Sequence, residues 1–249
     1  MVHTLVFPVG STPACHYACS FIKEYGIELV DHPTPEVTHL LLDIPSFNPD
    51  RTLPSGGDLQ HVLQMLPTNI VVCGGNLANA VLNDYETLDF LQDEDYLAAN
   101  ASITADCALR VAAPLMKTTF QSATILILGW GRIGKCLGHL LKAIGADVII
   151  AARKEPHRAM LRALGFQSVD IADVASVLSE CQIVFNTIPD LIVHKEILSP
   201  CRNCVKIDLA STPGLEGEDV VWARGLPGIH TPASSGKLIA DTFLRHLGR

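Results

Sequence analysis

Gly129, Gly131 and Gly134 stand at a G-x-G-x-x-G spacing immediately after the aliphatic run Ile125, Leu126, Ile127 and Leu128. Each glycine has its own physical use. The first allows a tight turn, the second lets backbone approach a pyrophosphate with no Cβ in the way, and the third lets the next helix pack closely on the strand. That helix carries Ile133, Leu137, Leu140, Leu141 and Ile144 at helical spacing and stops at Gly145. Residues 146–151 read as a second buried strand. The glycine triplet alone is a weak signal, but strand, loop, helix, stop and strand in this order point to dinucleotide binding, with Trp130, Arg132 and Ile133 completing the loop.

The tip of the second strand selects among dinucleotides. An NAD site places Asp or Glu there to hold the ribose 2′-hydroxyl, whereas an NADP site places cations there for the 2′-phosphate. Here the tip reads Ala151, Ala152, Arg153, Lys154, with His157 and Arg158 close behind. No carboxylate stands at the tip. The expectation therefore favours NADP over NAD, with Ala152, Arg153 and Lys154 as the contacts; a solvated basic turn is the alternative.

Positioning such a loop requires a parallel sheet, and the chain supplies two sets of strands alternating with helices. The first set reads as strands at 3–9, 27–30, 39–44 and 69–73, a short fifth at 96–99, and helices at 13–25 and 58–66. Laying Gly10 on Gly129 also lays Lys23 on Lys142 and Gly26 on Gly145, so the N-terminal half reads as a second βαβ unit. Thr12 and Cys15 replace the second and third glycines there, so it should bind no dinucleotide. Its loop Gly10-Ser11-Thr12 offers hydroxyls and amides at a helix start, suited to a carboxylate or to plain N-capping. Ser46 to Asn48 and Gly74 to Asn76, with another helix start after Gly74, lie at strand ends of the same sheet. A helix over 104–116 should link the halves.

The second set continues with a helix at 156–164, a strand at 167–169, a helix at 171–178, and strands at 181–187, 205–209 and 220–223. The segment 225–232 reads as a loop and 235–247 as a closing helix. The fold class expected is α/β: two doubly wound parallel-sheet domains, flavodoxin-like over 1–99 and Rossmann over 100–249, with the cofactor in the cleft dividing them. Asn186, Thr187, Ile188 and Pro189 end one strand and Ala210 and Ser211 another, where the nicotinamide half of a dinucleotide should lie.

Composition bounds the partners. With 249 residues and 48% hydrophobic content the chain can bury a substantial core. A net charge of −8 argues against broad nucleic-acid binding. No stretch approaches a membrane span and the N-terminal apolar run is too short for a signal peptide, so a cytoplasmic protein is expected. Cys73, Cys107, Cys136 and Cys181 fall in apolar stretches and read as reduced core thiols. Cys201 and Cys204 form a C-x-x-C that lacks the second ligand pair of a zinc site and leads into a strand, so neither metal nor redox function is assigned to it.

Taken together, these segments resemble the A subunits of dipicolinate synthase. The resemblance rests on Asn100-Ala101 with Thr104-Ala105-Asp106, residues 129–134, Gly145-Ala146 with Ala152-Arg153, the run 184–189, and Ile207-Asp208-Leu209-Ala210-Ser211 with Pro213-Gly214. Gly225-Leu226-Pro227-Gly228, Pro232 and Gly236 complete it. It covers roughly the last three fifths of the chain. Three departures stand out: a shorter N-terminal domain, a compressed segment 215–219 where the family has a helix, and Ala233-Ser234 in place of Lys-Thr. The resemblance implies oxidation of dihydrodipicolinate to dipicolinate by hydride transfer to a nicotinamide, a small dicarboxylate substrate, a homo-oligomer and a flavoprotein-like B subunit as partner.

That chemistry also needs a base and donors for two carboxylates. His230 is the first candidate base, since an unperturbed histidine titrates near pH 6.5. Asp106 is the second, and Asp208, inside a strand motif, reads equally well as a structural acceptor. Asn100, Ser102, Thr104, Ser211, Ser234 and Ser235 are the candidate carboxylate donors. The architecture also resembles the D-2-hydroxyacid dehydrogenases, but Ala210-Ser211 stand where those enzymes carry their arginine. A third reading is a non-catalytic, NADP(H)-binding regulatory subunit.

Overall fold

The computed structural model describes residues 4–198, 201 and 204–248, and the chain divides into two units. One runs to Asn100 and resumes at Pro227; the other is Ala101–Leu226.

The first unit is built on β1 (Leu5–Pro8), α1 (Pro13–Glu24), β2 (Glu28–Leu29), β3 (His39–Leu41), α2 (Leu59–Gln64), β4 (Val71–Gly74) and β5 (Glu86–Asp89). Its sheet is wholly parallel in the order β2-β1-β3-β4-β5, the flavodoxin-like winding. Both faces are covered, Val6 and Leu41 packing on one side and Leu40 and Val72 on the other, which is why its central strands read as unbroken apolar runs.

The helix α3 (Glu94–Ala112) replaces two sequence expectations, a strand at 96–99 and a helix beginning at 104. Its start is set by Asp93, whose Oδ1 accepts from the Tyr96 amide at 2.9 Å, followed by Glu94 and Asp95 in the first turn. The fifth strand is β5, whose exposed, polar edge pattern hides it from a search for apolar runs.

The second unit contains β6 (Thr124–Leu128), α4 (Arg132–Ala143), β7 (Asp147–Ala151), α5 (Glu155–Ala163), β8 (Gln167–Val169), α6 (Ala175–Leu178), β9 (Ile183–Asn186), α7 (Lys195–Leu198), β10 (Val205–Asp208) and β11 (Val220–Trp222). Its six parallel strands run β11-β10-β9-β6-β7-β8, the doubly wound Rossmann order, so chain direction across the sheet reverses at β6 and β9. Ile125 and Ile127 pack on one face and Leu126 and Leu128 on the other.

A short helix α8 (Leu226–His230) replaces the expected loop, and α9 (Pro232–His246) closes the chain. Chain order places α9 in the second domain; in the fold it belongs to the first. Ile239, Ala240 and Phe243 enter the core beside Ala18 and Ile22 of α1, and the two helices cross where a Cβ on Gly236 would meet the Ala14 carbonyl at 2.6 Å. An amphipathic pattern announces a helix but not the core that receives it.

Cys201 and Cys204 are joined as a disulfide, whereas Cys73, Cys107 and Cys181 are free and buried as expected, and Cys136 is free and half-buried. Among the described residues no helix is long and apolar enough to cross a membrane, and no group of three or more His, Cys, Asp or Glu is placed to hold a metal ion.

Candidate cofactor site

The glycine loop sits at the carboxyl end of β6, beside the reversal point of the second sheet. Gly129 has φ +105°, and a Cβ on it would meet Thr187 Oγ1 at 2.5 Å, so only glycine fits. Gly134 is closed in the same way, because a Cβ there would overlap the Gly129 carbonyl oxygen. Gly131 is the reverse case. It is the N-cap of α4, has no side-chain cap hydrogen bond, and a Cβ on it meets nothing within 4 Å. The open space lies where the amides of the first turn and the positive helix end call for an anion.

A cavity of about 360 Å³ opens over this loop. Gly129, Trp130 and Gly131 form its floor, Ala152, Arg153 and Lys154 one wall, and Thr187, Ile188 and Pro189 the other. Arg132 and Ile133 begin α4 behind the floor, the first exposed and the second half-buried, and Gly134 is buried. His157 and Ile171 also line the cavity. Ile171 escapes the sequence reading; its only signal is its place just after a strand end, in a turn capped by Asp170.

Arg158, one of the cations near the tip, is committed elsewhere. Its Nη1 donates to the carbonyls of Ala152 at 2.6 Å and Arg153 at 2.8 Å, and the guanidinium pairs with Glu155 and Asp170. Arg162 first, and then Arg158, hold the Glu155 carboxyl below the ordinary range. Both nearby carboxylates are thereby engaged by arginine, while the side chains of Arg153 and Lys154 make no hydrogen bond or ion pair among the described residues. The wall facing the cavity is cationic.

The opposite wall is held from behind. Thr187 Oγ1 donates to the Leu128 carbonyl at 2.8 Å, tying the end of β9 to that of β6. Asn186, expected to contact cofactor, is instead fully buried: Nδ2 donates to Ile188 O and Asp208 Oδ1 at 2.9 Å each, and Oδ1 accepts from the Ile188 amide at 3.0 Å. Asp208 also accepts from the amides of Ala210, Gly214 and Leu215. This removes it from the candidate bases, since its oxygens are engaged by four donors inside the protein. Ala210 is buried, its carbonyl accepting from the Trp222 indole at 3.0 Å, and Ser211 is exposed; among the described residues neither lines the cavity.

The remaining candidates are scattered. On α3, Asn100 is half-buried, Ser102 exposed and Thr104 buried, while Asp106 is exposed and pairs with Arg110 at 3.0 Å. His230 ends α8 and is exposed. At the start of α9 Ser234 is exposed, and Ser235 is buried with no hydrogen-bond partner for its hydroxyl among the described residues.

The loop at Gly10 does not offer its amides to a ligand. The buried Asp43 carboxylate accepts from the Ser11 amide at 2.8 Å and the Thr12 amide at 3.0 Å, and Thr12 caps α1 through Cys15 N. After Gly74 no helix starts, because Asp89 takes the amides of Asn76 and Leu77. Internal carboxylates fill the positions where the second unit leaves space for an anion.

The residues of the second unit thus fit a pyridine dinucleotide, and comparison with known proteins agrees. The family described as D-isomer specific 2-hydroxyacid dehydrogenase, NAD binding domain, matches residues 96–199. The A subunit of dipicolinate synthase from Bacillus subtilis (strain 168) is 26% identical over 203 residues, spanning 76% of this chain and 68% of that protein. In three dimensions the chain is similar to the A subunit of dipicolinate synthase from Bacillus halodurans, with a TM-score of 0.83 at 22% identity, covering 100% of this chain and 99% of that one. The crystal structure of the corresponding dipicolinate synthase chain from Bacillus subtilis gives a TM-score of 0.81 at 19% identity over 100% and 97% of the two chains. The resemblance read from sequence therefore holds, and the second unit has a Rossmann-like NAD-binding fold.

Proposed function

We propose that this chain is a nicotinamide-dependent dehydrogenase that oxidises dihydrodipicolinate to dipicolinate, acting with a flavoprotein-like second subunit. The observation that carries this reading is the open, cationic cavity over the glycine loop, in a chain similar to the A subunit of dipicolinate synthase. Bound there, a nicotinamide would supply the hydride acceptor. The chain's own residues do the rest.

The amides at the start of α4 bind the pyrophosphate and Arg153 with Lys154 bind a 2′-phosphate, which makes NADP the favoured form over NAD. Thr187, Ile188 and Pro189, fixed by Asn186 and Asp208, hold the nicotinamide end and exclude water. His230 accepts the proton released as the ring becomes aromatic, with Asp106 as the second candidate. Asn100, Ser102 and Thr104 on α3, Ser211 after β10, and Ser234 and Ser235 on α9 are the proposed donors to the two carboxylates.

The test is the formation of reduced cofactor with dihydrodipicolinate, with pyruvate-derived 2-hydroxy acids, and with neither. Turnover of the first alone supports the proposal. Turnover of a 2-hydroxy acid would favour a D-2-hydroxyacid dehydrogenase, and binding without turnover would favour a regulatory role.

A further inference from the structure

Arg158 stands in the second turn of α5 with only 15% of its side chain exposed, and it does not line the cavity. A cation so close to the wall of Ala152, Arg153 and Lys154 could bind a phosphate itself, but its donors are spent on the protein. Nε donates to Glu155 Oε2 at 3.0 Å, and Nη2 lies at the same distance from that oxygen. Nη1 reaches Asp170 Oδ2 at 2.6 Å and donates to the Ala152 and Arg153 carbonyls just past β7. A planar fork of five donors can serve all these acceptors at once, which a lysine ammonium cannot.

The two carboxylates flank the cavity without lining it. Glu155 follows Lys154 directly, and Asp170 precedes Ile171, and both of these neighbours do line it. A free carboxylate in either place would repel a 2′-phosphate and would accept a hydrogen bond from a ribose 2′-hydroxyl, which is how an NAD site is built. Asp170 has a second task, since its other oxygen accepts from the Ala172 amide at 3.1 Å and caps the turn that carries Ile171. Arg162 also pairs with Glu155, through the other oxygen at 2.6 Å, but its side chain is exposed. Arg158 thus joins the turn after β7, the start of α5 and the turn after β8 through one buried charge.

We propose that Arg158 is a positioning residue that sets the cofactor preference: it neutralises Glu155 and Asp170 and fixes the backbone at Ala152 and Arg153, so that Arg153 and Lys154 meet a 2′-phosphate with no competing carboxylate. The inference rests on the reading of this cavity as an NADP site. Arg158 itself does not touch the cofactor.

The experiment uses the full chain and measures binding by titration calorimetry with NADP, with NAD, and with adenosine 2′,5′-bisphosphate, which carries the 2′-phosphate but no nicotinamide. In Arg158→Met, NADP and the bisphosphate are expected to weaken at least about tenfold, while NAD stays within about twofold or tightens. Adding Glu155→Gln and Asp170→Asn to Arg158→Met restores most of the loss, a rescue that a merely structural role for the arginine would not give. Arg158→Lys, which keeps the charge but not the fork, gives an intermediate loss for NADP and serves as the probe if Arg158→Met does not fold. Equal weakening of NADP and NAD in the folded variant, or no recovery when the carboxylates are removed, would overturn this inference alone. A parent chain that binds neither cofactor, or that prefers NAD, would overturn the NADP reading and this inference with it.

Discussion

Asn186 Nδ2 donates to Asp208 Oδ1 at 2.9 Å between the ends of two adjacent strands, and both side chains are wholly buried. The pair fixes two turns at once. Asn186 folds the 186–189 turn against Ile188, and Asp208 gathers the 210–215 turn through three amides. A Cβ on Gly214 would meet Ile188 O at 2.7 Å, so the turns touch and glycine is required where they do.

Asp208→Ala should therefore act on stability before chemistry. Four buried donors would lose their acceptor, and the expected loss is about 2–4 kcal/mol in urea or thermal unfolding. Asp208→Asn, which keeps the volume but offers fewer acceptor sites, should lie between. A variant of unchanged stability with a shifted pH-rate profile would instead make Asp208 a participant in proton transfer.

Arg153→Ala should weaken NADP binding by about 1–3 kcal/mol relative to NAD, the loss of one charge-assisted hydrogen bond. Titration calorimetry with both cofactors reads this directly. Equal weakening of the two would show that the wall is only a solvated basic edge.

His230→Asn should remove the acidic limb of the pH-rate profile and lower turnover about 100-fold or more, as expected for loss of a general base. If turnover and limb are unchanged, the same measurement on Asp106→Asn is the next step. Because Asp106 is paired with Arg110 on an exposed helix face, Arg110→Ala should leave stability within about 0.5 kcal/mol.

Asp93 supplies a pH-dependent contribution to stability. Its carboxylate accepts from Arg245 Nη2 and His246 Nε2 at 2.9 Å each and caps α3, tying the end of α9 to the start of α3. Arg245 is the main cause that holds the Asp93 carboxyl well below the ordinary carboxylate range. A folded-state pKa below the unfolded one gives stability that is complete above about pH 4–5 and lost as pH falls through the carboxylate range. Asp93→Asn should lower Tm at neutral pH and flatten the acid limb of the Tm-pH curve. A variant whose acid limb matches the parent would contradict this.

Much of the second unit is legible in the chain because its signals are local. Turn, helix, stop and strand follow one another within residues 124–154, and the cavity lining of Arg153, Lys154, Thr187, Ile188 and Pro189 comes from strand ends. What escapes depends on distant partners. Nothing near Ser11 and Thr12 says that Asp43 occupies their amides, and nothing in α9 says that its apolar face packs against α1. Asn186 shows the same effect within a motif: the residue is visible in the sequence, but its burial behind the wall emerges only when Asp208 is brought beside it. The start of α3 is hidden for a local reason, since Tyr96 and Leu97 suggest a strand while the capping signal lies in Asp93.

A nicotinamide dinucleotide is expected to bind with its pyrophosphate against Gly131. The structure allows a clean test, because a side chain at this position would meet no protein atom within 4 Å at its Cβ yet would fill the space assigned to the ligand. Binding of NADPH to the parent and to Gly131→Glu can be followed by the quenching of Trp130, which lies in the loop itself. The expected result is saturable quenching in the parent and a loss of at least about 3 kcal/mol of affinity, roughly a hundredfold, in a Gly131→Glu protein with unchanged Tm. Equal affinity in the two proteins, or no binding of NADPH or NADH by the parent, would contradict it.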